Sequence, residues 1–286
     1  MALVAFGSVR SPGLTTTVLA LAAGWPEERP AILAELDPSG GTIAARRAAN
    51  PDPGLKTLAA CGRHYLSPPM VLDNTQRLSN GTAVLLAPSS PDRTVAALAA
   101  LTPVGLGEVL RSLPGLDVLA DCGRIDSRSP ALATVCEADV AIFVIRPTVS
   151  DIVGLRDRLE TLEVASARLR AGILTVGEGP NSASEIAETV HLPVIGTLDW
   201  DNRSADFICE GRRPPSSSKL LRSAQRLAAD LARQLPGLPQ PDSVEASPAA
   251  PFNGADTDGQ QSTQWAGSST PSLGGRRATS WEPIRP

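Results

Sequence analysis

Lysine is nearly absent from this sequence of 286 residues: Lys56 and Lys219 are the only two, against 24 arginines. Aromatic residues contribute only 3%. The formal net charge is −4 and the isoelectric point is near 5.3. A chain with this balance lacks the excess of positive charge that marks most nucleic-acid-binding domains, so no specific nucleic-acid partner is predicted.

Cysteine and histidine motifs are missing as well. The four cysteines are far apart in the sequence, at positions 61, 122, 136 and 209. They show no CxxC spacing, which indicates small buried side chains in a reduced protein. Neither His64 nor His191 stands in a catalytic context. No basic leader and no apolar run of about 20 residues is present. The predicted location is cytoplasmic, with membrane contact at most indirect.

Apolar runs of strand length recur along most of the chain. They are ALVAF (2–6), AILAEL (31–36), TAVLLAP (82–88), DVLADC (117–122), VAIFVI (140–145), GILTVG (172–177) and PVIGTL (193–198). Helical patterns are predicted from about 14 and over 92–101, 127–137, 151–168, 182–190 and 217–235. Because the strands are nearly continuous apolar runs, they are predicted to be buried on both faces. The predicted fold is α/β: a mostly parallel twisted sheet flanked by helices on both faces, a Rossmann-like three-layer sandwich.

The composition changes after Leu235. In residues 236–286, proline, glycine and serine fill 21 of 51 positions, and apolar periodicity disappears. Such a segment cannot bury enough apolar surface to fold alone, so a disordered tail is predicted after a domain over 1–235. The amphipathic stretch 219–235 is predicted to pack as the last helix of that domain.

The segment FGSVRSPGLTTTVLALAAGW, residues 6–25, has the outline of a phosphate-binding loop. A short strand leads into a turn formed by residues 11–14, and Thr15 and Thr16 follow in the first helical turn. Free backbone N–H groups at a helix start attract anions, and a threonine hydroxyl there can coordinate Mg²⁺. The lysine usual in such loops is replaced by Leu14. Taken alone, the segment is equally compatible with a tight strand-to-helix turn.

Two acidic residues stand at the carboxyl ends of other predicted strands. Asp37 follows AILAEL, and Asp121 lies in DVLADC. Parallel sheets bind ligands beyond these strand ends. Neighbouring strands would bring both carboxylates to the same rim as the Thr15 and Thr16 hydroxyls, an arrangement that suits a Mg-nucleotide.

These motifs resemble the MinD/ParA group of P-loop ATPases, whose deviant Walker A loop reads KGGVGKTTT against VRSPGLTTT here, residues 9–17. The segment LAELDPSGG, with Glu35 and Asp37, resembles the acidic segment after the second strand of that family. VLADCGR, with Asp121, is similar to its Walker B strand. The resemblance covers about residues 1–235. The variant loop also resembles a MinD-like subgroup of actinobacteria, related to the pilus-localising TadZ/CpaE proteins.

The resemblance implies a nucleotide-dependent homodimer that positions or regulates a partner machine, in septum or chromosome partitioning or in pilus or secretion assembly. ATP or ADP with Mg²⁺ would be the cofactors. Ser11, Pro12, Gly13, Leu14, Thr15 and Thr16 would form the phosphate cradle. Thr15 and Asp121 would hold Mg²⁺, and Asp37 would orient the attacking water. Both family lysines are missing, at Val9 and at Leu14, so weak or absent ATP hydrolysis is expected.

The same residues leave two alternatives to an ATP-binding switch. In the first, the chain is a pseudo-ATPase, an interaction scaffold that binds no nucleotide. In the second it is a dinucleotide-binding oxidoreductase, with Asp37 on the ribose. The oxidoreductase is disfavoured because the first turn contains no GxGxxG fingerprint.

Overall fold

The computed structural model describes residues 1–10, 12–162, 170–235 and 282–283. Eight strands form one sheet in the spatial order β3-β4-β2-β5-β1-β6-β7-β8. Their bounds are β1 Leu3–Ser8, β2 Ala31–Glu35, β3 Gln76–Arg77, β4 Ala83–Leu85, β5 Asp117–Arg124, β6 Val140–Ile145, β7 Arg170–Val176 and β8 Val194–Leu198. All neighbours in this order are parallel except β3 and β4. A two-residue strand, β9 (Glu282–Pro283), pairs with the start of β7.

Eleven helices are present in the described residues. They are α1 Leu14–Ala23, α2 Ile43–Arg46, α3 Leu55–Gly62, α4 Pro68–Asp73, α5 Pro91–Leu101, α6 Leu106–Arg111, α7 Leu132–Glu137, α8 Val149–Leu162, α9 Ala183–Val190, α10 Asn202–Cys209 and α11 Lys219–Gln234. A short 3-10 turn, Thr102–Val104, joins α5 to α6. None of these helices combines the length and the apolar content that crossing a bilayer demands.

The sheet has a hydrophobic core on each face. Leu3 and Ala5 of β1 belong to a cluster with α3, α5, α6, α8 and α9, whereas Val4 and Phe6 belong to a cluster with α1, α10 and α11. Alternate side chains of one strand therefore enter opposite cores. The predicted α/β fold, with helices on both faces of a mostly parallel sheet, is confirmed.

All seven predicted strands are confirmed, but the helices differ in detail. The helix predicted from residue 127 begins only at Leu132, after a turn that includes Pro130. Proline disfavours helical backbone in the residue before it, here Ser129, which delays the start. The short helices α2, α3, α4, α6 and α10 were not predicted. The end of the helix predicted over 151–168 lies partly outside the described residues.

The last helix of the domain packs as predicted. Leu220, Leu227 and Leu231 of α11 are each at most 5% exposed and join the core that contains α1. The predicted disordered tail, 236–286, lies outside the described residues except for the two residues of β9.

Candidate functional site

The loop between β1 and α1 opens at the carboxyl edge of the central strands. Gly13 is the residue before α1 and has φ +87°, a left-handed conformation that glycine adopts without strain. A Cβ at this position would meet no atom within 4 Å, so the space beside the helix start is open. Pro12 is buried, and Ser11 lies outside the described residues. An open start of a ten-residue helix is suited to an anion.

The two positions that would carry the family lysines are filled by buried apolar side chains. Leu14 is 4% exposed and belongs to the core that contains α1. Val9 is 6% exposed and belongs to the core on the opposite face, where it lies against Gly154 of α8. Each side chain thus stabilises the fold. A phosphate at the loop would be bound by backbone N–H groups and not by these side chains.

Thr15 and Asp121 meet directly. The Thr15 hydroxyl donates to Asp121 Oδ2 at 2.6 Å. Thr15 stands in the first turn of α1, and Asp121 lies on β5, which is paired with β1. The adjacent strands therefore bring together two side chains that are 106 positions apart in sequence.

Asp121 is fully buried, and its environment favours the protonated acid. Burial raises its pKa from the usual 3.8 to about 7. The hydrogen bond from Thr15 opposes this rise, while the nearby carboxylates of Asp37 and Glu35 add to it. The backbone N–H of Gly123 also donates to Asp121 Oδ1, at 3.1 Å. A cation at this point would relieve the repulsion among the carboxylates.

Asp37 reaches the same rim from the loop after β2. Its carboxyl lies against Gly123, where a Cβ would clash with Asp37 Cγ. Gly123 also has φ +66°, so a glycine suits this position for two reasons. Asp37 Oδ1 accepts the N–H of Ser39 at 2.8 Å, which holds the carboxylate in a tight turn.

Glu35 is a third acidic residue at this rim, and its contacts are structural. Glu35 Oε1 accepts the N–H groups of Thr42 at 2.6 Å and Ile43 at 3.0 Å, and Oε2 accepts that of Ala87 at 3.0 Å. The side chain is 1% exposed. Glu35 therefore fastens the loop that carries Asp37 to the end of β4. The sequence shows an acid within an apolar strand, but it does not show which backbone groups that acid would bind.

Thr16 points away from the carboxylates. Its hydroxyl lies 3.2 Å from Cys209 Sγ at the end of α10. Arg47 donates to the backbone carbonyls of Cys209 at 2.9 Å and Ile208 at 2.8 Å. This arginine therefore caps α10 and holds it beside the loop. The predicted grouping of hydroxyls and carboxylates at one rim applies to Thr15 and not to Thr16.

A cavity of about 170 Å³ adjoins the loop on the side of α10 and α11. Pro12, Gly13 and Thr16 form one wall, and Trp200 after β8 forms another. Trp200 is 49% exposed, and the Arg146 guanidinium lies over its ring, 4.0 Å from the centroid. Trp200 also borders a larger cavity of about 550 Å³ with Arg146 and Lys219. Sequence reasoning missed this pair, although a tryptophan just after a predicted strand was a usable signal.

The donors at the rim fit a phosphate-bound Mg²⁺. In the described ranges no three His, Cys, Asp or Glu side chains converge as metal ligands. Mg²⁺ commonly takes one or two protein oxygens and completes its octahedron with phosphates and water. Thr15 and Asp121 supply that small number of oxygens.

No protein-family model matches the sequence, and no curated protein matches it at a significant level. Solved structures do match its fold. MinD of Pyrococcus horikoshii in complex with Mg-ADP is 16% identical, with a TM-score of 0.63 over 80% of this chain and 95% of that one. A ParA family ATPase from Chlorobium tepidum is 11% identical, with a TM-score of 0.65 over 80% and 98%. The MinC:MinD complex of Aquifex aeolicus matches at 15% identity, with a TM-score of 0.54 over 84% and 99%. At these identities the similarity establishes the fold, and this chain has the fold of the MinD and ParA ATPases.

Proposed function

We propose that this protein is a MinD/ParA-type switch that binds Mg-ATP or Mg-ADP at the β1–α1 loop and hydrolyses ATP slowly or not at all. The observation that carries the proposal is the contact between Thr15 and Asp121 beside the open start of α1. A scaffold that bound no nucleotide would have no chemical need for the threonine hydroxyl, Asp37 and Asp121 together at this rim. The proposed setting is the cytoplasm.

The proposed roles follow from the contacts. The backbone of residues 11–16 would bind the phosphates. The cavity of about 170 Å³ between the loop and Trp200 would hold the base. Thr15 and Asp121 would hold Mg²⁺, which when bound neutralises phosphate charge. Asp37 would orient a water molecule, since its carboxylate is partly exposed and fixed against Gly123.

The absence of both lysines lowers the expected nucleotide affinity and the expected rate of hydrolysis. A charge-assisted contact to phosphate contributes about 1.5–3 kcal/mol, so its loss costs about one to two decades of affinity. Phosphoryl transfer depends almost wholly on positioning and electrostatics, so turnover suffers more than binding. We therefore propose a deviant Walker A loop in which nucleotide binding persists while hydrolysis is weak.

We propose further that the bound state forms a homodimer and acts on a protein partner, either a division component or a pilus or secretion ATPase of the TadZ/CpaE type. The support is the resemblance of the loop motifs to the actinobacterial MinD-like subgroup, together with the fold match to a MinC:MinD complex.

The test is calorimetric titration of the full chain with Mg-ATP and Mg-ADP, comparing Thr15→Val with Thr15→Ser. The valine keeps the shape and removes the hydroxyl, whereas serine restores the hydroxyl. We expect binding in the natural chain and in Thr15→Ser, and its loss in Thr15→Val. Undetectable binding at millimolar nucleotide in all three proteins would contradict the switch.

The second candidate function is the pseudo-ATPase scaffold, and a specific observation favours it. Both lysine positions are filled by side chains that belong to the cores. The calorimetric titration tests the scaffold, which would bind no nucleotide. Where nucleotide binds, steady-state phosphate release, measured with and without a candidate partner ATPase, separates a slow enzyme from a sensor that only binds.

A further inference from the structure

Three arginines from three separate parts of the chain line one open cavity of about 550 Å³. Arg10 follows β1, Arg124 ends β5, and Arg158 lies on α8. Val9 and Gly154 provide its apolar part. The cavity is bordered by α8, on the face of the sheet opposite α10 and α11. It is therefore separate from the cavity beside Trp200.

One of these arginines is anchored, and a second lies near a buried carboxylate. Arg158 Nη1 donates to the carbonyl of Ile125 at 2.7 Å. Arg10 Nε lies 3.7 Å from Asp151 Oδ1, and Asp151 is itself held because it accepts the N–H of Arg146 at 3.0 Å. Each contact uses a fraction of the five N–H donors of a guanidinium, and the others remain available to a ligand. Anchored guanidiniums lose less conformational entropy when they bind.

The charge in the cavity is unbalanced. Arg124 is exposed and makes no side-chain hydrogen bond or ion pair with any described residue. Among the described side chains that line the cavity, Asp157 carries the carboxylate. Arg156 pairs with it at 3.2 Å. Asp151 faces Arg10 and Asp157 faces Arg156, so Arg124 and Arg158 are left without a carboxylate partner among the described side chains, on a protein whose formal net charge is −4. This local excess predicts an anionic ligand.

We propose that Arg10, Arg124 and Arg158 form a docking site for an acidic segment of a partner protein. Guanidinium groups bind carboxylates bidentately, and arginine is enriched in protein interfaces. A single exposed ion pair contributes little, whereas several carboxylates on one segment bind together and add their effects. The wide, open shape and the apolar wall at Val9 suit such a segment better than a lone phosphate.

The site also connects the partner to the loop. Arg10 lies next to Val9 and two residues before Pro12, which borders the cavity beside Trp200. A segment bound to Arg10 would therefore lie two positions in sequence from a wall of that cavity.

The test is fluorescence anisotropy of a fluorescein-labelled oligoglutamate peptide with the full chain at low salt and without nucleotide. The variant Arg10→Ala/Arg124→Ala is compared with Arg63→Ala/Arg93→Ala, which removes the same charge from the groove between α3 and α5. Two exposed ion pairs at the strong end of their range predict about a thirtyfold loss for the first variant and less than about twofold for the control. Nucleotide is absent, so a failure here is distinguishable from a failure of the proposed ATP site.

Three results would overturn the proposal. The first is an equal loss in both variants, which means non-specific attraction. The second is tighter binding of inorganic pyrophosphate than of the peptide through these arginines, because this would assign the cavity to phosphate. The third is a DNA duplex that binds through them more tightly than the peptide. If Arg10→Ala/Arg124→Ala is misfolded by circular dichroism, Arg10→Gln/Arg124→Gln gives the same readout, with the same expected loss.

Discussion

Leu14 stands where the resembling family has its phosphate-binding lysine, and the side chain is inside the core. Replacing it should therefore have opposite effects on stability and on binding. In Leu14→Lys the ammonium must leave the core along its apolar stem, which we expect to cost about 2 kcal/mol of unfolding free energy. The same ammonium at the loop should tighten Mg-ATP binding by about tenfold.

Urea unfolding and calorimetric titration of Leu14→Lys measure these two effects. The exposed substitution Arg226→Lys on α11 is the control and should change neither quantity. Unchanged affinity in a folded Leu14→Lys protein would show that phosphate does not approach this end of α1.

Asp121 makes stability depend on pH in the absence of nucleotide. Its pKa is about 7 in the folded protein and near 3.8 when unfolded. The folded state therefore binds more protons between these values, and the stability contribution, complete below pH 3.8, is lost as the pH rises through 7. Asp121→Asn keeps the acceptor for Gly123 and cannot ionise. We expect it to be more stable than the natural chain at pH 8 by on the order of a few kcal/mol, and by a smaller margin of about 1–2 kcal/mol at pH 5, where the unfolded carboxyl is already ionised.

Urea unfolding at both pH values tests this expectation. The parallel substitution Asp126→Asn, at an exposed turn, controls for the change in net charge and should show no such difference. The same stability offset for Asp121→Asn at pH 5 and pH 8 would contradict a raised pKa.

At the scale of elements, a buried ion pair joins the amino-terminal ends of the central strands. Asp117 at the start of β5 accepts from Arg29 at 2.7 and 2.8 Å, from the Trp25 indole at 3.2 Å and from the backbone of Ala2 at 2.9 Å. Asp117→Ala leaves a nearly buried arginine without its carboxylate. We expect it to lower the unfolding free energy by about 3–5 kcal/mol.

Asp230→Ala is the matched control for Asp117→Ala. It removes the exposed pair between Asp230 and Arg233 on α11, and we expect a loss of less than about 1 kcal/mol. Similar losses in both variants, by thermal or urea unfolding, would mean that the Asp117 cluster contributes no more than a surface pair.

Strands were predictable from the sequence because burial on both faces makes each one an apolar run, as in VAIFVI of β6. The helices α2, α4 and α6 have only four to six residues, too few to show an amphipathic period. At the site, Thr15 and Asp121 could be placed together because parallel strands share a carboxyl edge. The burial of Leu14 and the three bonds to Glu35 could not be predicted, since they depend on packing between distant segments.

At the scale of the whole molecule, the proposed switch predicts a change in mass. The chain weighs 29.7 kDa, so a nucleotide-dependent homodimer would double that value with Mg-ATP and return to it with Mg-ADP. Sedimentation velocity of the natural chain measures this, and Thr15→Val is the control that should stay monomeric. A mass that is independent of nucleotide while ATP is bound would contradict dimerisation as the output of the site.

The stacking of Arg146 on Trp200 makes the fluorescence of Trp200 an intrinsic probe of this part of the protein. An indole half exposed to water and covered by a guanidinium emits differently once the cation moves or another ring replaces it. The three other tryptophans are Trp25, Trp265 and Trp281. A chain in which these three are changed to phenylalanine would emit from Trp200 alone, so that events beside the loop could be followed in time without any attached dye.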